Sequence, residues 1–185
     1  MMRRMENAAA IVPRLETARL VLRALERTDF DAYAAHMADA EATQYMSGIV
    51  DRRMAWRTFS ALSGTWLFDG AGWWGIEVKA TRQLVGIVGA FFREGLMDKG
   101  RPGDVELGWS IFRTEWRKGY ASEAAREALR FAFEHHRAPR AVAHIDAPNA
   151  ASIGVSRAIG MSYIGDVDFY GHASTLHAVE RGAGA

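Results

Sequence analysis

A short basic stretch with one glycine carries the clearest chemical signal in the sequence. Arg117, Lys118 and Gly119 stand between an apolar run, 105–112, and a segment with alanine or leucine at helical spacing, 121–132. This order predicts a strand, a loop and a helix N-terminus, where unpaired backbone N–H groups and the helix dipole favour an anion. Gly119 has no Cβ, so a ligand can approach its backbone closely. The pattern predicts a phosphate or pyrophosphate site, with an ordinary basic surface turn as the alternative.

The elements that must position this loop can be placed from apolar periodicity and turn residues. Alternating or continuous apolar runs predict strands at 17–24, 75–79, 84–92, 105–112, 140–145, 161–169 and 175–181. Helical spacing predicts helices that start at Thr28 or Asp29, at 54–67, over the segment after Gly119, and at 150–159, where Gly160 ends the last one. The region 39–50 is expected to be a loop or a short helix.

Composition limits the classes of protein and site that the chain supports. Its 185 residues are 49% hydrophobic and 24% charged with a net charge of +1, which favours one soluble domain and gives no global electrostatic reason for nucleic-acid binding. The absence of cysteine excludes disulfides, thiolate catalysis and cysteine-ligated zinc. No apolar run approaches the ~20 residues of a membrane span. We expect a mobile leader at 1–13 and one domain at 14–185 of a cytoplasmic protein, with no metal, nucleic-acid or membrane partner.

Three blocks of the sequence resemble the GNAT superfamily of N-acetyltransferases, in the RimJ/RimL-like branch. They span roughly residues 15–182 in the order that the family shows. The blocks are 17–23 with the following Asp29-Phe30; the loop 116–124 after Glu106-Leu107-Gly108-Trp109; and Asp146 to Ser152 with Arg157 and 159–161, where Met161 stands in place of the usual phenylalanine.

This resemblance implies a mixed α/β GNAT fold. Its central, mostly antiparallel sheet splays between the two strands that hold acetyl-CoA, and helices flank the sheet. The strand 105–112 would part from its parallel neighbour at 141–145 through a β-bulge, and Gly108 fits a bulge or a close approach. The resemblance assigns the cofactor contacts to Ser110, Ile111 and Phe112 on the strand; to Arg117, Lys118, Gly119, Tyr120, Ala121 and Ser122 in the loop; and to Asn149 and Ser152.

Glu106 is the predicted general base. A lysine-type amine with a pKa near ~10.4 is neutral in only about one molecule in 10³ at pH 7, so a proton acceptor is needed for attack. A carboxylate where the strands part can take that proton directly or through water. A surface strand residue with a cross-strand partner is the alternative interpretation, and His36 and Asp104 are weaker candidates for the base.

The acid that protonates the departing thiolate is not fixed by the sequence. Many members of the family place a tyrosine seven residues after the asparagine, and here that position is Ser156. A serine hydroxyl is shorter and a weaker acid than a phenol. Ser152 and Ser156 are therefore equal candidates, and a reaction without a side-chain acid is the third. Asn149 is expected to cap a helix, to contact the cofactor, or to do both.

The resulting hypothesis is an acetyl-CoA-dependent N-acetyltransferase without a metal. A primary amine, either a protein N-terminus or a small molecule, would attack the thioester directly in a ternary complex. The alternatives are a transferase that uses a longer acyl-CoA, a non-catalytic CoA-binding module, and a fold that binds no cofactor; a homodimer is left open. Aromatic residues that could line the acceptor pocket, although core packing is the expected role of each, are Tyr45, Trp56, Trp66, Trp73 and Trp74.

Overall fold

The computed structural model describes residues 11–46, 48–95 and 97–182, which form one eight-stranded sheet with helices on both faces. The strand order is β1-β2-β3-β4-β5-β6-β8-β7. The strands are β1 (Leu15–Glu16), β2 (Leu20–Arg23), β3 (Gly72–Val78), β4 (Leu84–Phe91), β5 (Val105–Ile111), β6 (Arg140–Ile145), β7 (Ser162–Phe169) and β8 (His172–Glu180). The helices are α1 (Phe30–Met37), α2 (Ala40–Thr43), α3 (Arg52–Asp69), α4 (Tyr120–Glu134) and α5 (Ala150–Ala158).

The sheet is antiparallel at every pairing except one. Strands β5 and β6 run parallel, and helix α4 makes the crossover that such a pair requires. The predicted mixed α/β architecture is therefore confirmed. Strand β8 begins at His172, three residues earlier than predicted, because Tyr170 and Gly171 adopt left-handed conformations (φ 54° and 83°) and close a tight hairpin.

The two faces of the sheet are covered differently. Helix α4 lies on one face through a row of alanines, and Ala124, Ala125, Ala128 and Ala132 are all 0% exposed. Small side chains let this helix approach the sheet closely. Helices α1 and α3 cover the opposite face with larger groups, including Phe30. Below, these surfaces of the sheet are called the α4 face and the α1/α3 face.

The described part of the predicted leader contacts the core of the domain. Residues 1–10 of the expected leader lie outside the described residues. The next residues are packed, because Val12 is only 6% exposed in the core and the Pro13 carbonyl accepts a hydrogen bond from Trp74 Nε1 at 2.8 Å. Trp74 and Trp66 are themselves core residues, 0% and 2% exposed, and do not line a pocket. No helix in the described ranges is both long and apolar enough to cross a membrane.

Candidate active site

Strands β5 and β6 part almost as soon as they pair. Their register contains two Cα pairs, Val105 with Ala141 and Glu106 with Val142. Strand β5 meanwhile stays paired with β4 from Glu106 to Ile111. From Gly108 onward, one edge of β5 therefore has no partner among the described strands, and it faces an opening between β5 and β6. The splay predicted from the sequence is confirmed, and we call this opening the gap.

Gly108 lies at the mouth of the gap. This position requires a glycine because an aromatic ring packs against its backbone. No register shift occurs between β4 and β5, so this pairing carries no bulge at Gly108. A Cβ on Gly108 would collide with the Trp73 ring, and a Cβ on its cross-strand partner Gly89 would lie 2.6 Å from Trp73 Cδ2. The close approach that was the other interpretation is the correct one. Two facing glycines let the indole lie across both strands on the α1/α3 face.

The basic loop leaves the end of β5 and is fixed to it by a tryptophan. Trp116 Nε1 donates a hydrogen bond to the carbonyl oxygen of Ile111 at 2.7 Å. Arg117 and Gly119 then take left-handed conformations, with φ of 62° and 80°. A left-handed arginine costs roughly 1–2 kcal/mol, so the fold holds this turn against a local preference. Backbone strain of this kind is typical of ligand-binding loops.

The N-terminus of α4 has backbone N–H groups that no described side chain caps, as anion-binding helix ends do. Gly119 is the N-cap residue, and no side chain of the described residues accepts a hydrogen bond there as a cap. The first-turn N–H groups and the positive end of the helix dipole therefore remain available for a ligand. Lys118 adds a cation that pairs with Glu115 at 2.9 Å on the surface. The predicted strand, loop and helix N-terminus stand in the predicted order.

A set of hydrogen bonds that the sequence does not predict, here called the clasp, holds this helix end against the turn between β1 and β2. Glu123, in the first turn of α4, accepts hydrogen bonds from Thr17 Oγ1 at 2.6 Å and from Arg19 Nε at 2.7 Å. Arg19 also donates to the Lys118 carbonyl at 2.9 Å and lies over the Tyr120 ring. Both sides of the clasp lie in blocks that resemble the family, 17–23 and 116–124. A single sequence, however, does not show that residues more than a hundred positions apart are in contact.

Asn149 and Ser152 lie at the far side of the gap, at the start of α5. Asn149 caps this helix, because its Oδ1 accepts a hydrogen bond from Ser152 N at 3.0 Å. Ser152 Oγ in turn accepts a hydrogen bond from Trp109 Nε1 at 3.3 Å. Trp109 belongs to β5, so this contact bridges the two sides of the gap. The cap that was one of two expectations for Asn149 is thus present.

Ser156 is not brought to the gap. Its side chain is 0% exposed, and its Oγ lies 2.9 Å from the Ile153 carbonyl and 3.2 Å from His177 Nδ1. Ser156 Oγ donates its one hydrogen to the Ile153 carbonyl, and Thr175 Oγ1 donates its one hydrogen to the Ile145 carbonyl, so neither hydroxyl has a hydrogen left for the His177 ring. The structure does not support Ser156 as the acid, because its hydroxyl lies on the buried side of α5 and is bonded to the main chain.

Glu106 is buried and paired. Its side chain is 8% exposed, and both carboxylate oxygens accept hydrogen bonds from the Arg93 guanidinium, one of them at 2.7 Å. Burial alone would raise the pKa of the Glu106 carboxyl, but Arg93, and His144 behind it, outweigh burial and hold that pKa below its ordinary value. The carboxylate is therefore ionised at neutral pH, but its oxygens are already engaged, unlike those of a free base.

The two weaker candidates for the base have partners of their own. Asp104 binds the guanidinium of buried Arg140, so its carboxylate is structural. His36 is 6% exposed, and its Nε2 lies 2.7 Å from Ser110 Oγ on the α1/α3 face. Burial lowers the pKa of His36 more than the charge of Asp39 raises it. His36 therefore stays neutral near pH 7 and positions the strand residue that was expected to contact the cofactor.

Comparison with known proteins places this geometry in one family. Residues 19–162 match the family described as "Acetyltransferase (GNAT) domain". The N-acetyltransferase p20 of Bacillus licheniformis is 30% identical over 141 residues, which are 75% of this chain and 76% of that protein. The crystal structure of an acetyltransferase from Agrobacterium tumefaciens is 27% identical, with a TM-score of 0.79 over 91% of this chain and 95% of that one. Spermidine N-acetyltransferase from Vibrio cholerae, in complex with CoA and spermine, shares the fold at 15% identity, a TM-score of 0.70, and 89% and 97% coverage.

Proposed function

We propose, from the premise that this chain belongs to the acetyltransferase (GNAT) domain family, that it transfers an acetyl group from acetyl-CoA to a primary amine. The observation that carries the proposal is the gap, because β5 loses its β6 partner after Glu106 and ends at an uncapped helix N-terminus. An extended pantetheine arm needs unpaired strand groups, and a pyrophosphate needs such a helix end. The chain presents the two features next to each other.

The residues of the gap and of the loop fit acetyl-CoA. The main chain of Ser110 and Ile111 lies where β6 no longer pairs, and Trp116 fixes the Ile111 carbonyl. The N–H of Phe112, the third predicted contact on this strand, donates instead to the Val85 carbonyl on the β4 side, because Phe112 continues the β4–β5 pairing. Arg117, Lys118 and the N–H groups of Gly119, Tyr120, Ala121 and Ser122 would hold the pyrophosphate. Asn149 and Ser152 face the arm from the other side. When bound, acetyl-CoA supplies an activated acyl group on a thioester.

The amine is proposed to attack directly in a ternary complex, and Glu106 supplies the negative charge that the proton transfer needs. The carboxylate lies on the α1/α3 face, in register with Phe91, at the point where β5 and β6 part. Arg93 occupies both of its oxygens, so the proton reaches this site through a neighbouring group or water. Ser152 is the remaining candidate for protonating the thiolate, since its hydroxyl borders the gap.

The acceptor is proposed to be a protein N-terminus or a small primary amine, as in the RimJ/RimL-like branch. An α-amine with a pKa near ~7.8 is neutral in roughly one molecule in seven at pH 7, so it needs less help from a base than a lysine-type amine. The Trp73 ring provides an apolar surface on this face, between the glycines and Phe91 with which it stacks at 5.2 Å. Such a surface suits the carbon skeleton of an acceptor.

Thiol release from acetyl-CoA tests the proposal. Peptides with varied N-termini, amino acids, polyamines and aminoglycosides would be offered, and calorimetry would measure acetyl-CoA binding. Gly119→Glu should abolish binding, because it places bulk and negative charge at the uncapped helix end. Gly70→Glu is the matched control: Gly70 is also left-handed (φ 61°), but it ends α3 and has open space around its Cβ position.

The outcomes separate the alternatives. Turnover with one amine class, lost in Gly119→Glu and kept in Gly70→Glu, supports the proposal and names the acceptor. Acetyl-CoA binding without turnover across the panel favours a non-catalytic CoA module. Faster turnover along a series of longer acyl thioesters favours another acyl donor. No binding by the folded protein would refute the assignment of the loop.

A further inference from the structure

His144 stands opposite Gly108 across the gap. The last β5–β6 pair joins Glu106 and Val142, so a continued parallel register would next join Gly108 and His144, but the strands have parted there. The side chain of His144 is 3% exposed, while the residue as a whole is half-buried. Its exposed atoms therefore belong to the main chain that faces the gap, and its ring lies on the α1/α3 face beside Glu106.

The imidazole of His144 has no hydrogen-bond partner among the described residues. Both ring nitrogens are shielded from solvent, and neither forms a hydrogen bond. Leaving buried polar atoms unpaired costs about 1–3 kcal/mol each, so such a group in a folded protein calls for a functional explanation. His144 and Glu106 both line a cavity of about 110 Å³ beneath the 92–104 loop, which is large enough for water or a small amine group.

The ring is held in one orientation by two neighbours. It stacks on Phe169 with 4.4 Å between the ring centroids and 25° between the planes. Its Nδ1 lies 3.4 Å from Glu106 Oε2, at ion-pair distance but outside hydrogen-bond geometry. A carboxylate beside Nδ1 favours the tautomer that carries its hydrogen there, as in catalytic triads, and leaves Nε2 as the acceptor.

We infer that His144 accepts the proton of the attacking amine, with Glu106 as the positioning carboxylate that orients its ring and fixes its tautomer. The inference rests on the proposed function and deepens it, because it names the group through which the proton reaches the Glu106 site. Arg93 keeps Glu106 ionised and in place while blocking its oxygens from the amine. His144 Nε2 has a lone pair that is free among the described residues and can accept the proton, whereas both oxygens of Glu106 are engaged by Arg93.

The step balances without another reactant. The amine nitrogen forms a bond to the acyl carbon and loses one proton to His144 Nε2. The bond between the acyl carbon and the sulfur breaks, and the thiolate leaves with its electron pair. The thiolate then takes a proton from solvent, or from Ser152, which regains one from solvent, and His144 returns its proton to solvent. The net reaction is amine plus thioester to amide plus thiol.

His36 is the competing imidazole on this face, and its geometry is less suitable. Its Nε2 is already bonded to Ser110 Oγ, and no carboxylate contacts its ring, although Asp39 acts on it from a distance. The charged and titratable groups that face His144 are Glu106 from β5, Arg93 from the loop between β4 and β5 with Tyr170 beside it, and Arg101 and Asp104 across the cavity.

Nitrogen NMR of ¹⁵N-histidine-labelled protein tests the inference without needing the acceptor. At pH 8 the His144 ring should carry its hydrogen on Nδ1, with Nε2 unprotonated. Glu106→Gln should weaken this preference for the Nδ1 tautomer, because the negative charge beside Nδ1 is removed. A ring with its hydrogen on Nε2 in the native protein, or a tautomer ratio unchanged by Glu106→Gln, would overturn the inference.

Kinetics provide the second readout, with thiol release from acetyl-CoA and the best amine of the panel, or water if no amine reacts. His144→Gln should lower kcat about 10²- to 10⁴-fold with an unchanged Kd for acetyl-CoA. His144→Gly should recover part of the loss with added imidazole. His135→Gln, at the exposed end of α4, is the control and should match the native rate.

Failure of this inference and failure of the proposed function give different results. If the native protein turns over and His144→Gln keeps the native kcat, the inference is wrong and the function stands. If the native protein binds no acetyl-CoA, the proposed function is wrong, whatever the NMR shows about His144.

Discussion

Replacing Arg93 by methionine should destabilise the protein by about 3 kcal/mol at neutral pH. The side chains of the Arg93–Glu106 pair are 26% and 8% exposed. Removing one partner of a buried ion pair costs about 3–5 kcal/mol, and the partial exposure of Arg93 places this pair at the lower end. Methionine keeps an apolar stem beside Phe169, over which the guanidinium lies at 4.7 Å, so the main loss is the charge.

The penalty should depend on pH in a direction that the structure fixes. In the native protein the pKa of Glu106 lies below its ordinary value, so its contribution is present above about pH 4.3 and is lost as the pH falls through the folded pKa. Without Arg93, burial dominates and raises that pKa. The variant then keeps its stability at low pH and loses it as the pH rises through the raised pKa. The deficit should therefore be full at pH 7 and shrink toward pH 4.5.

Urea unfolding at pH 7.5, 6 and 4.5 measures this deficit directly. Arg93→Met/Glu106→Gln should recover about 2 kcal/mol of the loss, because no unpaired charge remains buried. Arg101→Met is the matched control, since its pair with Glu180 is 62% and 54% exposed and should contribute less than about 1 kcal/mol. A deficit below about 1 kcal/mol, or one that is the same at every pH, would refute the buried-pair reasoning.

Three further predictions concern single sites. Gly108→Ala should lower the free energy of unfolding, measured by chemical denaturation, by about 1–3 kcal/mol because the new Cβ meets the Trp73 ring. The control Gly154→Ala, at an exposed helical position with open space, should raise it by up to about 1 kcal/mol. Equal effects of the two substitutions would contradict the packing argument. His177 has a pKa lowered by burial, so its contribution to stability should fall as the pH drops below about 6.5, and His177→Gln should flatten the slope of unfolding free energy between pH 7 and 5; an unchanged slope would exclude this source. Trp116→Phe removes the hydrogen bond to the Ile111 carbonyl at the end of β5, which contributes about 1 kcal/mol. Calorimetry should therefore show a Kd for acetyl-CoA that is roughly 5-fold higher. An unchanged Kd would mean that this hydrogen bond does not position the binding site.

The sequence predicted the fold well because its signals are local and periodic. The alanine face of α4, the strand before it and the left-handed Gly160 that ends α5 all appear where the residue pattern placed them. Helix and strand boundaries shifted by a few residues, as at β3, which starts at Gly72 because its first residues are paired with β4. Propensity alone does not register such tertiary pairing.

The chemistry of the site was less accessible from the sequence, because it depends on contacts between distant positions. The family pattern selected Glu106, but nothing in it reveals that Arg93 occupies the carboxylate. Ser156 was selected by its spacing from Asn149, whereas its direction toward His177 follows from how α5 packs on the sheet. The sequence does not indicate a role for His144, because its unpaired ring nitrogens and its position opposite Gly108 are visible only in the folded structure.

The clasp between the β1–β2 turn and α4 makes the basic loop dependent on the first residues of the domain. Glu123 is held by Thr17 and Arg19, which are 106 and 104 positions away along the chain. Contacts of such separation form late in folding, after the loops between them have closed. The N-terminal end of α4, which we propose binds the pyrophosphate, would thus be completed only when the N-terminal residues dock. A fusion or truncation that disturbs residues 15–19 would then affect the proposed cofactor site without changing any of its residues.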